Sequence, residues 1–282
     1  MKSSIINGIL MFSESFQQFL IEASLASTSV RGGLTALNKC TITDKGTFYS
    51  AFFQLSVGLE RFFKIIYILQ YMIDNKLNKP EFKEIRALGH DIRSLHKAAA
   101  EIGKNHTTNP AKFELNDLQI DIINMLSAFG DQSRYYVLNT ITKAKKQTED
   151  PLATWNEIIE SGFWSHFSQN KRQKVVNDAL SIVDRSGKFT YSQYFSLDGY
   201  IMSEVDFIVL EWKIKNVTPH IVSEIIGLLQ PYYTLLRKLR EGIFIIDQEA
   251  GSRVQPVPYF EELFPYLLES PIRAKKRRNW LK

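Results

Sequence analysis

An all-α fold, a helical bundle followed by a second helical region, is what this sequence predicts. Three observations carry that expectation. Chain-breakers are scarce, with 14 glycines and 9 prolines among 282 residues, which favours long helices over many short strands. From Thr47 to Asn75, apolar residues fall at Phe52, Leu55, Leu59, Phe62, Ile66, Leu69 and Ile73, stepping by three and four around one helix face. No repeat at solenoid spacing and no low-complexity segment interrupts the pattern. With 44% hydrophobic and 23% charged residues, the chain has ordinary globular composition and can bury a core. Disordered, collagen-like and disulfide-scaffold classes are excluded.

The elements follow in order. Ile5 to Phe12 is an apolar patch read as a helix start, not a signal peptide. Leu10, Phe12, Phe16, Phe19 and Ala23 then place a helix over 9–27, broken at Arg31-Gly32-Gly33. The 47–75 helix is so apolar, leaving only Gln54, Gly58, Arg61 and Lys64 as a polar stripe, that it must sit centrally. After a loop at 75–80, Gly89 to Gly103 reads as a helix with Ile92, Leu95, Ala99 and Ile102 inward. Asn116 caps the next helix, which Phe129-Gly130-Asp131 kinks or breaks before Ser133 to Ala144 continues helically. Lys143, Lys145 and Lys146 complement the dipole at its end. Glu149-Asp150-Pro151 marks a boundary. Helices are expected over 155–163 and 171–183, then a turn-rich aromatic stretch from Ser186 to Tyr200. Ser203 to Lys215 alternates in part, which admits a strand; the reading adopted is a helix. Pro219 suits a helix's first turn, Pro231 kinks the helix over 221–240, and Pro258 opens a last helix that Pro265 interrupts. The division is therefore 1–147, a helical bundle; 148–270, a helical region without an assigned role; and 271–282, a basic tail.

Charge is concentrated in that tail. The formal net charge is +5, and Arg273, Lys275, Lys276, Arg277, Arg278 and Lys282 stand in the last twelve residues without an acid. The rest of the chain is nearly neutral, so only the tail can attract a polyanion electrostatically. Arg273, Lys275, Lys276, Arg277 and Arg278, with Trp280 for stacking, are the nucleic-acid-binding candidates, against a plain reading of the tail as a solvated, mobile terminus. Cys40 is the single cysteine, so no intrachain disulfide forms, and a cytoplasmic, reducing location is expected. No run of about 18 apolar residues occurs, so no membrane span is expected.

Catalytic signatures are absent: no phosphate-cradling or dinucleotide glycine loop, no nucleophile elbow, no kinase set. No cofactor is expected. Cys40 reads as a partly buried packing residue. The five histidines, His90, His96, His106, His166 and His220, include no pair at i, i+4, so no metal site is expected. Two clusters remain. The first is Gly89-His90-Asp91-Ile92-Arg93-Ser94-Leu95-His96. An arginine beside a histidine suits phosphodiester cleavage, the imidazole moving a proton and the guanidinium holding phosphate charge. The plain alternative is a polar face packed on the central helix. The second is Ser133-Arg134-Tyr135-Tyr136-Val137-Leu138-Asn139, whose tyrosines either stack bases or pack helices.

The order of Gly58-Leu59-Glu60-Arg61-Phe62-Phe63-Lys64, then the His90 cluster, then Ser133-Arg134-Tyr135-Tyr136 resembles the HEPN superfamily over residues 10–145. The resemblance implies an up-and-down bundle of four or five helices, often dimeric, of the kind found in prokaryotic toxins and defence systems. Many such domains are metal-independent ribonucleases with an arginine, four to six residues, then a histidine. Here Arg134 is followed at that spacing by Asn139, and an amide cannot exchange a proton near neutral pH. The expectation is a non-catalytic interaction protein, with a protein partner or a second copy, in a defence or toxin–antitoxin module. The alternatives are a ribonuclease using Arg93, His96 and Arg134, and an RNA binder working through the tail. The full polar cluster is His90, Asp91, Arg93, His96, Arg134 and Asn139.

Overall fold

The computed structural model describes residues 11–145, 148–186, 191–251 and 254–282. The fold is all-α. In chain order it contains β1 (Met11–Phe12), α1 (Glu14–Leu37), α2 (Gly46–Asp74), α3 (Phe82–Ala87), α4 (Ile92–Asn105), a 3₁₀ turn (Pro110–Phe113) and α5 (Asp117–Asp131). A second 3₁₀ turn (Ser133–Tyr135), α6 (Tyr136–Ile141), α7 (Pro151–His166), α8 (Gln169–Ser186), β2 (Tyr191–Phe195) and β3 (Ile201–Ser203) follow. The chain ends with α9 (Glu204–Glu249), β4 (Val254–Gln255), α10 (Phe260–Leu263), a third 3₁₀ turn (Pro265–Leu268) and α11 (Pro271–Lys276).

Side-chain chemistry sets the helix starts. Ser13, Asp91, Asn116, Asp150, Ser203 and Ser270 each accept a backbone N–H of the turn they open, satisfying donors that a helix end otherwise leaves unpaired. The first helix therefore begins at Glu14, not at residue 9. Met11–Phe12 is instead a short strand pairing in parallel with Val254–Gln255, and residues 1–10 of the expected helix start lie outside the described residues.

Gly32-Gly33 does not break α1, which runs through to Leu37. Those glycines serve close packing. A Cβ on Gly33 would stand 2.5 Å from the Leu55 side chain, and one on Gly58 would stand 2.8 Å from the Val30 backbone nitrogen. Bare backbone on both helices lets α1 and α2 approach closely. The pairs Gly33 with Leu55, Val30 with Gly58, and Glu22 with Arg61 show that the two helices are antiparallel.

The strict alternation of an up-and-down bundle is not kept. Glu60 meets His90, Phe63 meets His96 and Gln70 meets His106, so α4 runs in the same direction as α2. The segment carrying α3 returns the chain to allow this. Gly89, with φ +67°, makes the turn into α4. α5 is antiparallel to α2, with Ser56 donating to the Leu126 carbonyl and Phe52 against Phe129.

α9 spans 46 residues, about 69 Å of helix. Pro219 lies well inside it, not in a first turn, because the Ser203–Asp206 capping box starts the helix much earlier. The possible strand over 203–215 is helix. Instead, strands form in the aromatic stretch before it. β2 and β3 pair antiparallel, Tyr191 with Ser203 and Phe195 with Ile201; residues 187–190 lie outside the described set. Ser133 to Ala144 is a 3₁₀ turn and the short α6 rather than one continuing helix; Lys146 lies outside the described residues.

One hydrophobic cluster extends from Phe19 to Trp280. Phe52 packs on Trp155, and Phe62 packs on Tyr232 and Phe264. The helices after Asp150 thus share a core with those before it. The C-terminal segment belongs to the same core. Ala274 and Trp280 are fully buried, and the Trp280 backbone N–H donates to Thr35 Oγ1 at 2.9 Å. The expectation of a solvated, mobile tail is corrected: the chain end is docked against α1 and α9.

Candidate functional site

Asp91 is the organising residue of the first cluster. As N-cap of α4 it accepts from the Arg93 backbone N–H at 3.3 Å, Arg93 Nε at 3.1 Å, Ser94 Oγ at 2.8 Å and Ser127 Oγ of α5. Burial alone would raise its pKa, but those hydrogen bonds outweigh it and hold the carboxyl down at about 2. Asp91 is thus a fixed carboxylate that ties α4 to α5, and it occupies Arg93.

His90 and His96 face different ways. His90 is exposed, and its Nδ1 lies 2.9 Å from Glu60 Oε1, which also receives Lys64 Nζ at 2.8 Å. His96 is 7% exposed, set edge-on against Phe63 and Tyr232, and its Nε2 has no hydrogen-bond partner. Burial, helped by nearby Lys104, lowers its basicity to about 4. A neutral imidazole enclosed by aromatic rings reaches no substrate, so Arg93, His96 and Arg134 are not brought together.

The structure groups Arg134 with a different histidine. Arg134, His90 and Glu60 line one crevice, floored by Phe53, Phe129 and Gly130. Its volume is about 30 Å³, room for a water molecule and not for a nucleotide. Arg134 lies over the Tyr135 ring at 5.0 Å. Asn139 sits on α6 beyond the 3₁₀ turn, where its carbonyl accepts from the Ala144 N–H at 2.8 Å, so Arg134 and Asn139 do not share one helix. Glu60 is the crevice residue that sequence reasoning passed over, though it stands in the motif that carried the family resemblance.

Phe53 beside the crevice is exposed, as are Tyr135, Val137, Leu138 and Ile141 in the segment that follows Arg134, and α6 has no buried residue at all. Asp131 and Arg134, both exposed and just before α6 in the chain, carry charges of opposite sign.

A second histidine cluster lies where α7 meets α9. The His166 and His220 rings stack at 4.7 Å and 28°. His166 Nε2 is 3.7 Å from Glu224 Oε1. Burial, then the neighbouring His166 and Lys275, takes His220 down to about 4; burial also lowers His166, against the pull of Glu224. The sequence signal was the i, i+4 pair His220 and Glu224, missed because only imidazole pairs were sought. Among the described residues no group of three histidine, cysteine or acidic side chains is arranged to hold a metal ion. Cys40 is buried and its thiol is pushed up to about 12 by burial, which makes it inert as a nucleophile.

The basic candidates divide by partner. Arg277 donates to Glu269 at 2.9 Å and covers the Trp280 ring at 4.9 Å. Arg273, Lys276 and Arg278 are exposed, and Lys275 is half-buried. Trp280, fully buried, cannot stack a base. No described helix is long and apolar enough to cross a membrane. Compared with known proteins, the chain matches no family model, and no curated sequence and no solved structure is similar enough to register a match.

Proposed function

We propose that this chain is a non-catalytic, HEPN-like interaction protein that pairs with a second copy of itself through the α6 surface, in the manner of the helical units of prokaryotic defence and toxin–antitoxin modules. The observation that carries the reading is α6, a helix with no buried side chain beside exposed Phe53 and Tyr135. Contiguous apolar surface of this kind marks an interaction site. A second copy is the favoured occupant because the charges just before α6 are self-complementary: a two-fold contact sets Asp131 of one copy against Arg134 of the other. The motif order supports the family reading, and the burial of His96 supports the absence of catalysis.

A second reading rests on His90 and Arg134 sharing a crevice. That geometry is the remaining place for a metal-independent ribonuclease, with His90 as the proton carrier. One set of proteins separates the two. Wild type, Leu138→Asp/Ile141→Asp and His90→Ala are measured by light scattering after size exclusion, and each is incubated with mixed RNA in EDTA. The expected result is a dimer for wild type and His90→Ala, a folded monomer for the double variant, and intact RNA throughout. A wild-type monomer overturns the dimer. Cleavage that His90→Ala abolishes overturns the non-catalytic reading.

A further inference from the structure

The cleft between the end of α4, the Pro110–Phe113 turn and the middle of α9 is distant in the fold from α6, and it has the makings of a ligand site. Its volume is about 480 Å³, within the range of small-molecule pockets. Its charge is one-sided. Lys112 and Lys238 line it together with His106, and among the described residues no carboxylate does. Lys112 is exposed and has no acid within ion-pair distance among the described residues. Lys238 donates only to the His106 backbone carbonyl, at 2.5 Å, which leaves its charge uncompensated. Burial first and then Lys238 lower the basicity of His106, with Asp74 of α2 opposing them. Its Nε2 is taken by Gln70 at 2.7 Å.

The α9 wall presents Gly227, Pro231, Thr234 and Lys238, spaced by four, three and four along one helix face. Proline has no N–H, so the Gly227 carbonyl, four residues before Pro231, receives no helical hydrogen bond from it. Phe113 closes the inner end of the cleft: it is packed across Gly103 so tightly that a Cβ there would meet its ring at 2.3 Å, and the ring is buried edge-on against Tyr232 of α9. The cleft therefore offers two ammonium groups for an anion, the Thr234 hydroxyl for a polar edge, and the apolar surface of Leu268 and Pro231 for a flat body.

We infer that this cleft binds a nucleoside phosphate, its phosphate on Lys112 and Lys238 and its base against Leu268 and the α9 wall. The same chemistry is presented by a free nucleotide and by the 5′-terminal nucleotide of an RNA, and the test distinguishes them. Adenosine 5′-monophosphate, adenosine, inorganic phosphate and a 5′-phosphorylated RNA pentamer are titrated calorimetrically into the full-length protein. Saturable binding of the monophosphate is expected, weakened at least about tenfold by Lys112→Glu, the equivalent of about 1.4 kcal/mol. Lys39→Glu makes the same charge change on exposed α1–α2 loop surface and is expected to leave affinity unchanged. Thr234→Phe, which fills the cleft from an exposed position, is expected to abolish binding. Tighter binding of the pentamer than of the monophosphate assigns the site to RNA ends; equal or weaker binding assigns it to free nucleotide. The inference is overturned if neither phosphate ester binds, if inorganic phosphate binds as well as the ester, or if Lys39→Glu weakens binding as much as Lys112→Glu.

Discussion

His96 shows how one buried side chain turns a catalytic candidate into a stability determinant. Its imidazole is neutral in the fold because water and counter-charge are excluded from it. In the unfolded chain the same ring titrates at the ordinary value of 6.5. As pH falls, the unfolded state takes up the proton first, so the contribution of His96 to stability is complete above 6.5 and is lost between 6.5 and about 4. At about 1.4 kcal/mol per unit, the loss for this residue reaches about 2 kcal/mol near pH 5. His220 titrates in the same direction and steepens the slope. Asp91 acts lower, between its ordinary 3.8 and about 2. Urea unfolding at neutral pH and near pH 5 checks this. His96→Phe, placed among Phe63 and Tyr232, is expected to fold, to keep or gain stability at neutral pH since Nε2 has no partner to lose, and to flatten the acid slope. An unchanged slope would remove His96 from the account. The site was half legible at this scale. Asp91 as a cap and Arg134 as an exposed cation follow from local sequence. Which of His90 and His96 faces the core does not, because on a helix flanked by apolar residues both can be drawn inward until the partner helices are known.

Elements were most legible where periodicity was longest. The α2 face from Phe52 to Ile73 is nearly all buried, and the sequence spacing alone placed it at the centre. Where expectation failed, a local rule met a tertiary contact. Gly32-Gly33 looks like a stop signal, yet in α1 it is the bare surface on which α2 seats. The loss of helix propensity, about 1 kcal/mol per glycine, is offset by close interhelical packing that no larger residue permits. Gly58→Val is therefore expected to destabilise the protein by roughly 1–3 kcal/mol, as overpacking does, because the new side chain starts 2.8 Å from Val30 backbone. Gly130→Ala provides the contrast. A Cβ there meets Ser56 at 3.6 Å, an ordinary contact, so the helix-propensity gain of up to about 1 kcal/mol is kept. Denaturant midpoints of the two variants should move in opposite directions. A Gly58→Val midpoint at or above that of wild type would mean that α1–α2 spacing does not depend on that glycine. α9 was misread for a related reason: Pro219 suggested a helix start and Pro231 a kink, while Pro219 is buried against the core within one continuous helix.

At the scale of the molecule, the last twelve residues decide whether the chain has a core with a tail or a core closed by its own end. Composition pointed to a tail, since six cations without an acid look like a polyanion handle. The packing runs the other way. Trp280 is fully buried, its N–H held by Thr35 of α1 and its ring covered by Arg277, which Glu269 anchors in turn. α11 lies along α9, with Ser223 donating to the Pro271 carbonyl at 3.3 Å. The segment thus ties the first helix to the longest one. A single apolar residue at position 280 outweighed the charge pattern, and composition has no way of registering that. Removing the indole should open a cavity costing about 3–5 kcal/mol, so Trp280→Ala is expected to lower the unfolding midpoint of the whole chain in one cooperative transition. Trp280→Phe should recover part of the loss, because the apolar ring, though not its full volume, is restored. Tryptophan fluorescence adds an independent readout: the Phe variant loses part of the blue-shifted emission, and fully buried Trp155 retains the rest. If Trp280→Ala leaves stability unchanged while the cations remain exposed, the end of the chain is a tail after all, and its positive charge regains its claim on RNA.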